Sequence, residues 1–191
     1  MGSLIALFAA IERRDPYMLG HSARVTAIAQ ALAERLRCGL VELDALALGG
    51  PLHDIGKLAI PDDVLLKPGR LDEHELAQSR EHPAAGARML RGMRELEPAL
   101  PCVLHHHERW DGGGYPYGLA GTAIPREARI LAVADAFDAM TSTRPYRPAL
   151  PVDAALAEVA RCAGTQFDPE PACALVDAWS CGEIAGHAAA V

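Results

Sequence analysis

The sequence HHHERWDGGGYP, residues 105–116, places three adjacent histidines and a glutamate directly before a run of three glycines. An apolar core has no use for three neighbouring imidazoles, and a protein surface does not require them. A metal site, a bound anion or an accident of composition would each account for the pattern. The choice depends on whether other parts of the chain carry matching side chains.

Composition and charge narrow the class of protein. The chain has 191 residues, of which 50% are hydrophobic and 23% charged, enough for one globular domain with a sizeable core. Its formal net charge of -7 argues against binding to a nucleic acid polymer, which would require a basic face. A small phosphate ligand remains compatible, because metal ions and a few arginines can supply local positive charge.

Cysteine usage and hydropathy indicate the compartment. The five cysteines form no CxxC pair, so we interpret them as reduced thiols of a cytoplasmic protein. The N-terminal apolar stretch is too short to cross a membrane and lacks the basic start of a signal peptide. We therefore expect an amphipathic helix over residues 1–14 and no membrane association.

Helical periodicity dominates the remaining chain and predicts an all-α bundle. In residues 21–40, for example, Val25, Ile28, Ala29, Leu32 and Leu36 share one helical face, and Gly39 supplies a stop. No alternation of hydrophobic and polar residues long enough for a strand is present. The predicted helices cover residues 21–40, 41–57, 72–82, 83–93, 97–108, 125–142 and 151–164.

Side chains suited to divalent metals occur on separate predicted helices. Imidazole and carboxylate ligands without thiolates suit iron, manganese, zinc or nickel. More than four such ligands indicate at least two ions, a number that suits phosphoester hydrolysis. A single histidine is more often an ordinary hydrogen-bonded residue, and we interpret His74 and His187 in that way. The candidates are His21, His53, Asp54, His82, the cluster His105–His107 and Asp135.

Four motifs in order resemble the HD-GYP family of HD phosphohydrolases. They are HDIGK at 53–57, HHERWDGGGYP at 106–116, ARILAVADAFDAM at 128–140 and RPYR at 144–147. Shorter family-like pieces are GHSARV at 20–25, LLKPGRL at 65–71 and QFDP at 166–169. The resemblance implies an HD-type helical bundle over residues 15–180, with a glycine-rich loop beside the metal site and a short tail at 181–191.

The resemblance also implies a ligand set and two divalent transition-metal ions, iron or manganese first, with zinc or nickel as alternatives. Some family members bind a third ion through a glutamate four residues before the first histidine. That position is Tyr17 here, so we expect two ions, with His21 as a weaker ligand or an outer residue. His105 precedes the matching pair and is interpreted as a flanking residue. The implied ligands are His21, His53, Asp54, His82, His106, His107 and Asp135.

Substrate contacts are implied next to this centre. Lys57 follows Asp54 by one helical turn, and we interpret Lys57 and Asp54 as catalytic; a solvated lysine is the alternative. The loop residues Gly114, Tyr115 and Pro116 would form a wall of the pocket, or only a rigid turn that orients the histidines. After the Asp135 helix, Arg144 and Arg147 would contact phosphate or a guanine edge; a surface pair satisfied by carboxylates is the alternative.

The characterised family members hydrolyse the bacterial second messenger cyclic di-GMP, which gives the first function hypothesis: hydrolysis to pGpG and onward to GMP. A second hypothesis keeps the metals and changes the substrate to another cyclic dinucleotide or nucleotide. A third is a non-catalytic module that binds cyclic di-GMP or a protein. The resemblance also implies protein partners at the GYP loop, including diguanylate cyclases.

Overall fold

The computed structural model describes residues 20–143 and 148–186. These residues form α-helices, short 3-10 helices and two isolated bridges, with no strand among them, and the predicted all-α class is confirmed. The helices in chain order are α1 (His21–Arg35), α2 (Leu40–Leu52), α3 (Asp62–Leu65), α4 (Glu73–Ser79), α5 (His82–Leu90), α6 (Leu100–His105), α7 (Arg126–Thr141), α8 (Val152–Arg161) and α9 (Pro169–Ser180).

The bundle is built around α1, which packs against α2 and α7. Val25, Ile28, Ala29 and Leu32 are fully buried, so the predicted apolar face of α1 is confirmed, while Leu36 is only partly buried. A second, smaller apolar cluster lies where α2, α5 and α6 meet; its members are Leu52, Ile55, Leu90, Leu96, Ala99 and Val103. The two clusters hold the ends of α2, α5 and α6 in fixed positions.

The predicted stop of the first helix is wrong. Helix α1 ends at Arg35, and Arg37 takes the left-handed backbone conformation with φ 52°. The Arg37 and Cys38 amides donate to the Glu34 and Ala33 carbonyls, a Schellman arrangement in which arginine stands where glycine is usual. Gly39 instead precedes the first residue of α2.

Two further boundaries differ from the sequence prediction. Helix α2 ends at Leu52 rather than continuing to residue 57, and a 3-10 helix follows at Ile55–Ala59. His53 and Asp54 therefore lie at the junction of the two helices, where the chain turns both side chains inward. The predicted helix over 97–108 is a 3-10 helix at Arg94–Ala99 followed by α6.

Helix α9 is absent from the sequence prediction. Asp168 caps it by accepting a hydrogen bond from the Glu170 amide, and Leu175 is among its buried residues. Ile184, in the segment predicted as a tail, is also fully buried in the main core. The predicted helix over 1–14, Tyr17 and His187 lie outside the described residues. Among the described helices, none has the length and apolar composition needed to cross a membrane.

Candidate metal centre

The seven predicted metal ligands come from five places in the fold and meet in one region. His21 begins α1, His53 and Asp54 follow α2, and His82 begins α5. His106 and His107 follow α6, and Asp135 lies within α7. The candidate ligands are buried or partly buried, so their polar atoms face one another rather than solvent.

The candidate ligands form two sets that share one residue. In the first set, one donor atom from each of four side chains lies within 4.8 Å of the others; the members are Asp54, His82, His106 and His107. In the second set, the same limit holds for His21, His53 and Asp54. Asp135 adjoins the second set, with its Oδ1 3.3 Å from His21 Nε2. Asp54 is the residue that belongs to both sets.

Backbone carbonyls orient three of the imidazoles. In each ring Nδ1 lies within hydrogen-bond distance of a carbonyl three residues earlier, and since a carbonyl can only accept, Nδ1–H is the donor. In the neutral tautomer with Nδ1–H, the lone pair lies on Nε2, the nitrogen nearer the other candidate ligands, as a metal-binding histidine requires. The pairs are His53 with Gly50 (2.7 Å), His82 with Ser79 (2.8 Å) and His106 with Val103 (3.1 Å).

The carboxylate of Asp54 connects the histidines to Lys57. Its Oδ1 lies 3.3 Å from His82 Nε2, and its Oδ2 lies 3.3 Å from His53 Nε2 and 2.7 Å from Lys57 Nζ. Burial acts to raise the pKa of Asp54, but the Lys57 ammonium and the neighbouring imidazoles outweigh burial and hold that pKa well below its usual range. Asp54 is therefore an anion at neutral pH.

His21 is held between two carboxylates of α7. Its Nδ1 lies 2.7 Å from Asp138 Oδ2, opposite the contact of Nε2 with Asp135. Burial acts to lower the pKa of His21, but the hydrogen bonds to Asp135 and Asp138 outweigh it and raise the pKa to about 9. Without a cation at the centre His21 thus carries a proton, which a bound metal ion would replace. Asp138 is also held by Arg24, whose Nε lies 2.6 Å from Oδ1.

The donors at the centre fit a divalent transition metal. Buried His53 Nε2 and Asp54 Oδ1 have no hydrogen-bond partner among the described residues, although both face the other candidate ligands. His82 Nε2 and His106 Nε2 lie only 3.3 Å apart, and burial together with the adjacent imidazoles lowers the pKa of His106. Such a concentration of neutral nitrogen and carboxylate oxygen, without a thiolate, is complementary to a cation.

The glycine-rich loop is organised by Glu108 and sits against the histidines. The buried Glu108 carboxylate accepts hydrogen bonds from the Tyr117 and Leu119 amides, at 2.8 and 3.0 Å. Gly114 passes so close to the preceding backbone that a Cβ there would lie 2.4 Å from the Arg109 nitrogen. The Tyr115 ring stacks on His107 with centroids 4.8 Å apart, and burial raises the pKa of its hydroxyl.

A cavity of about 550 Å³ opens onto this centre, a size typical of small-molecule sites. Its wall includes the predicted contact residues Lys57, Gly114 and Tyr115. Pro116 follows Tyr115 but is not part of that wall, and Arg144 and Arg147 lie outside the described residues. His105, interpreted as a flanking residue, has its ring 5.8 Å from Tyr117 and belongs to neither donor set.

Three residues that shape the site were not predicted from the sequence. Asp138 and Glu108 were visible only as parts of the motifs ARILAVADAFDAM and HHERWDGGGYP, without a role. Arg80, two residues before His82, lines the cavity and carries no motif signal. For Asp138, the spacing of three residues from Asp135 on one helix was the available clue.

Comparison with known proteins identifies the family. A family model described as "HD domain" matches residues 6–170, and the chain belongs to that family. Together with the relatives below, this match confirms the resemblance to HD-GYP proteins predicted from the motifs.

Relatives in sequence are longer proteins. The cyclic di-GMP phosphodiesterase response regulator RpfG of Xanthomonas campestris pv. campestris is 47% identical over 169 residues, covering 87% of this chain and 45% of the relative. The cyclic di-GMP phosphodiesterase PA4108 of Pseudomonas aeruginosa is 44% identical over 161 residues, covering 84% and 39%. The 3'3'-cGAMP-specific phosphodiesterase 3 of Vibrio cholerae is 38% identical over 160 residues, covering 84% and 35%. The chain thus spans less than half the length of these relatives.

A solved structure supports the fold. The V. cholerae cyclic GMP-AMP-specific phosphodiesterase V-cGAP3 matches with a TM-score of 0.73 at 20% identity, covering 96% of this chain and 49% of that chain. At this identity the likeness establishes a shared HD-type bundle.

Proposed function

We propose that this chain is a metal-dependent phosphodiesterase that hydrolyses cyclic di-GMP to pGpG and then to GMP. One observation carries the proposal: Asp54 belongs to both donor sets and lines a cavity large enough for a small ligand. Two relatives that share this family and more than 40% identity are named cyclic di-GMP phosphodiesterases.

The proposed centre holds two divalent transition-metal ions, with iron or manganese as the first choice and zinc or nickel as alternatives. Asp54, His82, His106 and His107 would hold one ion, and His21, His53, Asp54 and Asp135 the other. Ions there would act as Lewis acids toward the phosphodiester and make hydroxide available near neutral pH. His21 is therefore proposed as a ligand rather than an outer residue, because its Nε2 faces the second set.

The chain's own residues would bind the substrate and move a proton. Lys57 Nζ lies on the cavity wall and is held 2.7 Å from Asp54, so its ammonium can donate to a phosphate oxygen or to the departing 3' oxygen. Hydrolysis breaks one phosphorus–oxygen bond of the ring, leaving a 5' phosphate and a 3' hydroxyl, which is pGpG. Tyr115 and Gly114 would border the bound nucleotide, and Arg144 and Arg147 remain proposed contacts to it.

A second substrate, 3'3'-cGAMP, is supported by the V. cholerae relative of that name at 38% identity. The two cyclic dinucleotides differ in one base, so the same metal centre would hydrolyse both. Contacts to that base would decide which substrate is preferred.

Two further proposals are a protein partner at the glycine-rich loop and a cytoplasmic location. Tyr117 projects from the glycine-rich loop with 63% of its surface exposed, which suits a contact with a protein partner such as a diguanylate cyclase. The five cysteines are free thiols, which fits the reducing conditions of the cytoplasm.

The test is an anaerobic assay on protein of measured metal content, offered cyclic di-GMP and 3'3'-cGAMP in parallel, with products resolved by chromatography. We expect pGpG and GMP from cyclic di-GMP, and no product from a His53→Ala/Asp54→Ala control. Faster turnover of 3'3'-cGAMP would move the assignment to that substrate. No product from either, with a full metal complement and retained binding, would favour a non-catalytic binding module.

A further inference from the structure

Arg80 stands on the wall of the cavity and is positioned by an aromatic ring. It follows the last residue of α4, and its Cζ lies 5.4 Å from the centroid of the Tyr115 ring. A guanidinium at this distance from a tyrosine face is attracted by the negative face of the ring. The Tyr115 ring in turn stacks on His107 of the first donor set. One ring therefore separates Arg80 from a candidate metal ligand.

The other cationic side chains on the cavity wall are already paired. Lys57 Nζ lies 2.7 Å from Asp54, and Arg109 donates two hydrogen bonds to Asp111, at 3.0 and 2.6 Å. The Arg80 side chain, by contrast, makes no hydrogen bond or ion pair with any residue within 20–143 and 148–186. Its five N–H donors therefore face the cavity and solvent without an anionic partner from the described part of the chain.

A cyclic dinucleotide requires such a group. It carries two phosphodiesters, and only one can occupy the metal centre during a hydrolytic step. The second remains an anion in a cavity that is also lined by the carboxylates of Asp54 and Asp135. The Arg80 guanidinium would neutralise this second phosphate and bind two of its oxygens at once, since a guanidinium matches phosphate in a bidentate geometry.

We propose that Arg80, held against Tyr115, binds the non-reacting phosphate of the dinucleotide and thereby makes the site selective for substrates with two phosphates. The inference rests on the proposed phosphodiesterase function and adds a subsite to it. Arg80 contacts the substrate away from the reacting phosphorus, so its loss weakens substrate binding more than it slows the chemical step.

The experiment compares metal-loaded wild type with Arg80→Ala, Arg80→Lys and the control Arg91→Ala. Arg91 is an exposed arginine at the opposite end of α5 from His82, and it is not part of the cavity wall. Each protein is assayed with cyclic di-GMP and with bis(p-nitrophenyl) phosphate, which has one phosphodiester only. Binding of cyclic di-GMP is measured in parallel by calorimetry.

We expect Arg80→Ala to raise KM and Kd for cyclic di-GMP by roughly 10- to 100-fold, the loss of a charge-assisted contact. Arg80→Lys should retain part of the affinity, because lysine keeps the positive charge but cannot donate two parallel hydrogen bonds to the phosphate. Hydrolysis of bis(p-nitrophenyl) phosphate should stay within about twofold of wild type in each variant, as should all parameters of Arg91→Ala.

The two proposals fail in different ways. A wild-type enzyme that hydrolyses cyclic di-GMP with KM and Kd unchanged in Arg80→Ala overturns the phosphate subsite and leaves the phosphodiesterase function standing. Equal losses on both substrates also overturn it, because they would show a general effect on the centre. A wild type that binds cyclic di-GMP without hydrolysing it overturns the phosphodiesterase function, and the Kd of Arg80→Ala then decides the subsite. Absence of binding by wild type overturns both.

Discussion

Nδ1 of His21 lies 2.7 Å from the Asp138 carboxylate, although 117 residues separate the two in the chain. Asp138 is fully buried, and Arg24 holds its Oδ1 from the next turn of α1. The carboxylate fixes the imidazole so that its Nε2 faces the candidate metal centre. This contact also joins α1 to α7 at the point where both helices carry proposed ligands.

The first prediction concerns this contact. Asp138→Asn removes the charge that orients His21 and supports its donor strength, so we expect metal affinity at the His21 side to fall by about 10- to 100-fold. The affinity is measured by calorimetric titration of metal-free protein with Mn²⁺. Asp177→Asn is the control, because Asp177 is an exposed carboxylate on α9. Unchanged affinity in Asp138→Asn would show that the negative charge of Asp138 does not contribute to metal binding.

The shared position of Asp54 gives a second prediction. Asp54→Asn should lose both ions, because Asp54 contributes to both donor sets, whereas His107→Ala should lose only the ion of the first set. We expect phosphodiester hydrolysis to fall by about 10²–10³-fold in Asp54→Asn, since the charge stabilisation at the phosphate is lost. Metal content per chain, measured by elemental analysis, separates the two variants. Equal metal content in both would refute the bridging position of Asp54.

A third prediction follows from the raised pKa of His21 in the metal-free protein. Because the folded pKa of about 9 exceeds the ordinary value of 6.5, the folded chain holds this proton more tightly than the unfolded chain. The resulting stabilisation is fully present below pH 6.5 and is lost as the pH rises through about 9. We expect the free energy of unfolding of chelator-treated protein to fall by about 2 kcal/mol between pH 7 and pH 9.

His21→Asn isolates that effect, because cysteines and other groups also titrate near pH 9. Urea unfolding at pH 7, 8 and 9 should show the loss in wild type and a much flatter dependence in His21→Asn. Parallel curves for the two proteins would mean that His21 has no raised pKa.

Motifs and periodicity singled out side chains that the fold brings together, because both are local signals. His53 with Asp54, and His106 with His107, are adjacent in sequence, and the buried face of α1 follows from the spacing of Val25, Ile28 and Leu32. Local signals cannot show which residues far apart in sequence are in contact. The contacts of Asp138 with His21 and Arg24 depend on the packing of α1 against α7 and could not be predicted from the sequence.

The missed structural features have a similar cause. Helix α9 has two prolines in its first turn, Pro169 and Pro171, which obscure its start in the sequence; the Asp168 cap and burial against the core define it in the structure. The stop of α1 was assigned to Gly39 because glycine is the usual residue there, whereas the structure uses Arg37. Arg80 carries no motif and gains its importance only from the position of Tyr115.

The close approach at Gly114 gives a fourth prediction. A Cβ at Gly114 would overlap backbone atoms of the segment that carries His107, including the His107 carbonyl oxygen at 2.6 Å, so Gly114→Ala must displace that segment. We expect a loss of roughly 1–3 kcal/mol in unfolding free energy, together with reduced metal content. Gly113→Ala is the matched control, because its nearest neighbour is a side-chain oxygen of Asp111 at 3.2 Å rather than a backbone atom. Equal effects of the two substitutions would contradict a specific need for glycine at Gly114.

Arg37 offers a fifth prediction, on stability alone. Its φ of 52° lies in the left-handed region, which is unfavourable for a residue with a Cβ and open to glycine. Arg37→Gly should therefore raise the free energy of unfolding by about 0.5–1 kcal/mol, after allowance for the greater freedom of glycine in the unfolded chain. Arg37→Ala is the control, since it removes the side chain and keeps the Cβ, and we expect no gain from it. Urea unfolding at one pH measures both variants. A gain of the same size in Arg37→Ala would assign the effect to loss of the guanidinium rather than to relief of the left-handed backbone.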